Sequence, residues 1–156
     1  MGKFLLVRDT REKVDHGYSW PEDNDGQGTI IRKIEFGDYS IEGLDNKIFL
    51  DRKQNVSELA KNVIEKRFEK LLENIRDFRY KFLLCEFSFE DLCKYPVGSE
   101  IPPKLWRRVR IRSNFLQGWL AKITLDYGVN VIFAHDAKKA EKFCYTLLKR
   151  IHKLEN

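Results

Sequence analysis

The stretch Gly37–Glu58, GDYSIEGLDNKIFLDRKQNVSE, decides how the chain is read. Gly37–Gly43 and Asn46–Lys53 are strand-like runs, and Leu44-Asp45 between them supplies a turn. A two-residue turn predicts a hairpin with Asp38 opposite Asp51 and Ile41 close to Ile48. Side chains alternate faces along a strand, so Tyr39, Ile41, Ile48 and Leu50 share a core-facing side. Asp38, Ser40, Phe49, Asp51 and Lys53 share the other. Two carboxylates directly opposite one another repel. A divalent cation is one way to hold such a pair, and oxygen ligands suit magnesium or manganese. Lys53 falls on the same face as Asp51, where it could contact a phosphate or a metal-bound water. Acid, acid, x, Lys is an arrangement used in phosphodiester hydrolysis. The same spacing also fits an ordinary solvated hairpin face, so the wider chain has to decide.

The chain has 156 residues, 42% of them hydrophobic and 13% aromatic, which excludes a disordered chain and fits one domain, residues 1–156. Lys and Arg number 29 against 24 Asp and Glu, a net charge of +5, a balance that suits a nucleic-acid partner as well as simple solubility. Cys85, Cys93 and Cys144 form no CxxC pair. They read as reduced thiols of an intracellular protein rather than a disulfide frame or a zinc site. The run Phe4–Val7 is too short for a signal peptide, and no stretch approaches a membrane span. The expected location is therefore intracellular, cytoplasmic or nucleoid-associated, and not secreted.

Outward from the central stretch, Lys3–Arg8 is apolar in the middle and predicts a buried first strand. It ends in Asp9-Thr-Arg-Glu-Lys13, a polar cluster at a strand end, where α/β proteins place their sites. Residues 14–28 read as a long loop, with His16 a surface residue, and Thr29–Phe36 as a strand returning to Gly37. Ser57–Phe78 reads as one helix capped by Ser57, with Leu59, Val63, Ile64, Phe68, Leu72 and Ile75 as its apolar stripe. Lys61, Lys66, Arg67 and Lys70 lie largely off that stripe and could meet phosphates. Tyr80–Phe87 predicts a buried strand, with Glu86 near its end. Ser88–Tyr95 predicts a short helical turn.

Lys104–Arg112 holds Arg107, Arg108, Arg110 and Arg112 beside Trp106. It reads either as an exposed strand or as a contact for a phosphate backbone or unstacked base, with DNA favoured. A helix capped by Ser113 follows and stops near Gly128, then a strand over Val129–Ala134, then a helix capped by Asp136. Strand, helix, strand, helix predicts an α/β protein with right-handed crossovers.

Taken together, Asp9-Thr10-Arg11-Glu12, Gly37-Asp38 and Asp51-Arg52-Lys53, followed by YKFLLCEF and VNVIFAHDAKKAEKF, resemble the nuclease domain of the XPF-type structure-specific endonuclease family. The resemblance runs from about Leu5 to about Lys149. It implies a restriction-endonuclease-like fold, a central mixed β-sheet flanked by helices. It also implies a Mg2+- or Mn2+-dependent endonuclease acting on branched or flapped DNA in repair, recombination or replication, and working as a homodimer through its C-terminal third. By that implication Asp38 and Asp51 bind the metal with the Arg52 carbonyl, and Lys53 positions or polarises the attacking water. Asp9, Arg11, Glu12 and Arg52 complete the site. The sequence departs from the family pattern at Asp51, where a glutamate is usual, and at Ser57, where an aspartate is usual. These 156 residues hold neither a tandem helix-hairpin-helix segment nor a helicase segment. The alternatives are a non-catalytic DNA-binding partner of the same fold and a nuclease of that fold acting on linear duplex.

Overall fold

A computed structural model describes residues 2–12 and 17–156; Lys13 and His16, part of the polar cluster and loop, lie outside these. Strand β1 (Phe4–Arg8) is buried nearly throughout, as its unbroken apolar run predicts. It lies between β2 (Gly26–Ile31), parallel to it, and β3 (Tyr39–Ile41), antiparallel. A second set of three strands, β4 (Ile48–Lys53), β5 (Tyr80–Cys85) and β6 (Asn130–Phe133), is parallel throughout.

The expected hairpin is therefore corrected. Strands β3 and β4 run side by side but take their ladder partners elsewhere, β3 from β1 and β4 from β5. The link between them is not a two-residue loop. Leu44 N–H donates to Ile41 O at 2.9 Å and Lys47 N–H to Leu44 O at 2.9 Å, two tight turns in succession. At the seam, Asp38 N–H donates to Leu50 O at 2.8 Å, and this bond joins the two three-stranded sheets. Gly37 makes the approach possible. Its φ is +97°, and a Cβ there would lie 3.0 Å from Leu50 O.

Alternation along β4 sorts residues between two cores. Ile48 and Leu50 face a core built from β1, β3 and the last helix, α5 (Ala137–Glu155), through Ala140, Cys144, Leu148 and Ile151. Phe49, placed on a polar face by the sequence, is fully buried in the other core. That core is covered by α1 (Val56–Val63), α2 (Lys66–Asn74), α3 (Phe89–Lys94) and α4 (Ser113–Tyr127). A parallel strand covered on both sides does not separate core from solvent by alternation.

The single helix expected over Ser57–Phe78 is two helices, with Asn55 rather than Ser57 as N-cap, accepting from Glu58 N–H at 2.9 Å. Helical geometry explains the break. At 3.6 residues per turn Phe68 would sit about 180° around a straight helix from Leu59. Turning at Ile64-Glu65 brings both into the same core and leaves Ile64 exposed. Strand β2 begins and ends earlier than Thr29–Phe36, because the Ile34 N–H is taken by the Asp9 carboxylate at 2.7 Å instead of a ladder. Ser113 begins α4 as its first helical residue, with Arg112 at the cap position. Gly128 at φ +70° ends α4, and the Asp136 side chain caps α5, both as predicted. Residues Pro103–Arg108 form a 3-10 helix rather than a strand, since proline at its start presets φ for a turn. Ser88 caps α3 through a capping box with Asp91.

Candidate active site

The seam between β3 and β4 brings Asp38 and Asp51 together. Asp38 leaves the turn after Gly37, and Asp51 leaves β4. The Arg52 N–H donates to Asp38 Oδ2 at 2.7 Å, which fixes the first carboxyl against the second strand. The two carboxyls are close enough to shift each other's ionisation. Burial and the neighbouring Asp51 charge push the Asp38 carboxyl well above the usual carboxylate range. Asp51 moves the other way. Burial pushes it up, but Lys53 and the neighbouring Asp38 carboxyl outweigh this and hold it below. Lys53 Nζ lies 2.8 Å from Asp51 Oδ2, and its side chain is only 6% exposed. Burial favours its neutral form, yet Asp51 and Asp38 keep it charged and raise its pKa. The ammonium also lies 5.4 Å from the centre of the Phe68 ring.

These three groups stand in a cavity of about 440 Å3. Exposed Arg11, Arg67 and Lys70 line the same cavity, the last two from α2. The floor is thus a carboxyl pair with one ammonium, and the rim carries these three cations against one exposed acid, Glu35. Phosphate oxygens are drawn to such a rim, while the acidic floor is suited to a cation.

The other sequence-selected residues stand behind this floor. Asp9 is fully buried and saturated: Oδ1 accepts from Ile34 N–H, and Oδ2 accepts from Arg11 N–H at 3.1 Å and Arg11 Nε at 2.5 Å. It holds Arg11 at the rim. Glu12 accepts from Arg52 Nε at 2.9 Å and from the Tyr39 hydroxyl at 2.6 Å. Arg52 Nη1 reaches both oxygens of Glu86 at 3.3 Å, and Tyr18 donates its hydroxyl to Glu86. Burial works against the Arg52 charge, but Glu12 and Glu86 surround it and raise its pKa. Asp9, Glu12 and Arg52 therefore sit in a supporting network behind the cavity-lining residues Arg11, Asp38, Asp51 and Lys53.

Tyr18 and Tyr39 were missed as members of this network. Tyr39 was assigned to the core, where its ring does lie, stacked on Tyr18 at 4.9 Å. Alternation reports the ring and is silent about the hydroxyl. Arg107, Arg108 and Arg110 are exposed around the end of the 3-10 helix, outside the cavity lining. Arg112 donates to the Trp106 carbonyl at 2.9 Å.

Among the described residues, no group of three or more His, Cys, Asp and Glu side chains stands at metal-binding spacing. The donors that Asp38 and Asp51 supply are all oxygen. Magnesium is commonly held by one or two carboxylates and keeps several waters, so a two-carboxylate floor fits that ion.

Two sheets packed against helices, with an acid pair and a lysine where strands β3 and β4 meet, define a restriction-endonuclease-like fold. A family model for the ERCC4 domain matches residues 8–147, and the chain belongs to that family. Among solved structures it is similar to XPF from Aeropyrum pernix, with 21% identity and a TM-score of 0.65, covering 95% of this chain and 65% of that one. It is also similar to XPF from Aeropyrum pernix in complex with DNA, with 21% identity and a TM-score of 0.64, covering 99% and 67%. The chain thus spans about two thirds of the length of these structures. Among curated proteins no significant match is found.

Proposed function

We propose that the chain is a magnesium- or manganese-dependent DNA endonuclease that cuts at branched or flapped structures. The observation that carries this reading is the Asp38–Asp51 pair with Lys53 beside it, at the floor of a cavity rimmed by Arg11, Arg67 and Lys70. Membership of the ERCC4 domain family supports it. A DNA complex of a protein similar in fold supports a DNA partner.

Asp38 and Asp51, with the Arg52 carbonyl, would hold the cation. A bound cation would lower the pKa of its water and neutralise charge at the scissile phosphate. The chain's own groups do the rest. Lys53 keeps a positive charge beside the attacked phosphate. Arg11, braced by Asp9, and Arg67 and Lys70 position the phosphate backbone. Glu12, Arg52 and Glu86 keep the strand ends in register.

Cleavage of forks, flaps, four-way junctions and linear duplex, in Mg2+ and in EDTA, tests the reading. Forks or flaps should be cut in Mg2+ and left intact in EDTA. Cutting of linear duplex alone would replace the branched-substrate reading, and no cutting of any DNA would overturn the enzymatic one.

A homodimer is part of this proposal. Within the C-terminal third, Tyr127 and Ile151 are buried in the chain's own cores. Phe143 is exposed, and with Phe89 and the half-buried Phe133 it forms an aromatic face at the open edge of β6. Light scattering decides between a dimer and a mass near the monomer's 18.6 kDa.

A further inference from the structure

A second cavity, of about 500 Å3, lies between α1–α2 and α4. Its volume is within the range of small-molecule sites. Trp119 and Phe115 line it, and Phe115 is 56% exposed. Trp119 is half-buried, its ring packed against Phe68 with centroids 5.6 Å apart. Phe68 is also the ring beneath the Lys53 ammonium. Asn62 lines both this groove and the catalytic cavity, so the two adjoin.

The balance of polar groups differs between the two cavities. The catalytic cavity offers Arg11, Lys53, Arg67 and Lys70, donors suited to phosphate. The groove offers the carboxylates of Glu65, already paired with Arg67, and Glu69, the amides of Asn62 and Asn114, and one ammonium, Lys122. Asn62 Oδ1 is buried and has no hydrogen-bond partner among the described residues. A buried acceptor without a donor is costly, so turning the Asn62 amide toward a donating ligand in the groove is favoured. Carboxylates repel phosphate but accept from amino groups and ring N–H groups. An aromatic wall with acceptors at its edge has the chemistry of a site for a nucleobase.

We propose that the groove holds one unstacked base of the DNA strand whose phosphate lies in the catalytic cavity, with Trp119 and Phe115 providing the stacking wall and Asn62 an acceptor for the base edge. The inference rests on the nuclease reading for its choice of partner. It assigns phosphate and base of one strand to two adjoining cavities. A fork or flap, with single-stranded arms, offers such a base without the cost of unpairing it.

The test is binding, measured by fluorescence anisotropy in EDTA with a fluorescein-labelled fork. Single abasic positions are moved along its arms. Wild type should lose roughly 5- to 150-fold in affinity at one position, the scale of a base–aromatic stack. Trp119→Ala should bind the intact fork more weakly by a similar factor and become insensitive to that abasic position. Its salt dependence should not change, because no phosphate contact is lost. Phe115→Ala, at an exposed position, should reproduce part of the effect without risk to the core. Equal abasic penalties in wild type and both variants, or none at any position, would overturn the inference. Cleavage of the same forks in Mg2+ is scored separately. Trp119-dependent, base-sensitive binding with no cleavage of any DNA would sink the nuclease reading and sustain the groove. Cleavage without that binding signature would do the reverse.

Discussion

Asp38 and Asp51 meet at the seam between β3 and β4 and shift each other's ionisation in opposite directions, so without a cation one of the two holds its proton to higher pH than the other. Asp38 is that group, since burial and the Asp51 charge raise its pKa. A carboxyl whose folded pKa is raised contributes stability below the ordinary aspartate value, about 4, and loses it as pH rises through the raised value. Asp51 is held low and acts oppositely, contributing above about 4 and losing its contribution as pH falls through its lowered value. Metal-free protein should therefore lose stability on going from mildly acidic to neutral pH through Asp38.

Asp38→Asn places a neutral amide beside Asp51 and removes that dependence. In EDTA at neutral pH its melting temperature should rise, by about 2–4 °C for each 1 kcal/mol of repulsion relieved. Cleavage in Mg2+ should fall by several orders of magnitude in the same variant, as should that of Asp51→Ala and Lys53→Ala. Melting curves from pH 5 to 8 with and without Mg2+ check the first expectation. A variant that melts like wild type in EDTA would show that the two carboxyls do not burden the fold.

Arg52 lies between Glu12 and Glu86 and is 8% exposed. Arg52→Ala leaves two largely buried carboxylates without their cation. Breaking a buried pair from one side costs about 3–5 kcal/mol. Urea unfolding should show a loss of that size. A loss below about 1 kcal/mol, the scale of an exposed pair, would mean that water reaches the network.

Gly37→Ala tests the seam. The φ of +97° is strained for alanine, and its Cβ would press on the Leu50 carbonyl, which accepts from Asp38 N–H. The backbone cost is on the order of 1–3 kcal/mol. The shift falls on Asp38 itself, so cleavage should drop more than stability alone explains. Single-turnover rates at a temperature where the variant is fully folded measure that excess. An unchanged rate would place Asp38 outside the chemistry.

How much of this was legible in the sequence depended on how local each cause is. The buried β1, the short helical turn after Ser88, the Asp136 cap of α5 and the Gly128 stop each follow from a few neighbouring residues. Asp38 and Asp51 were paired correctly although the hairpin argument behind the pairing was wrong. Two strands that run side by side bring the same residues together whether or not they share a ladder. Phe49 was misplaced because alternation describes a sheet with one wet face. The network through Tyr18, Tyr39, Glu12, Arg52 and Glu86 joins residues up to 68 positions apart. No short spacing encodes it.

Arg107, Arg108 and Arg110 are the last case, and a local one. All three are exposed, while Arg112 spends a donor on the Trp106 carbonyl. Exposed guanidinium groups on a 3-10 helix and the turn after it can reach phosphates without giving up internal bonds. Each phosphate contact releases counterions, so each lost contact should lower the slope of log K against log salt by roughly 0.9 on duplex DNA. Replacing all three with alanine should therefore flatten the slope by about 2.7 if every one touches a phosphate. The fold should not change, because among the described residues no internal bond of these three side chains holds the loop. Arg112→Ala should instead loosen the loop around Trp106 and reduce the slope by less than one contact. Binding isotherms at four or five salt concentrations separate the cases, and a triple variant with the wild-type slope would assign the patch to solvated surface.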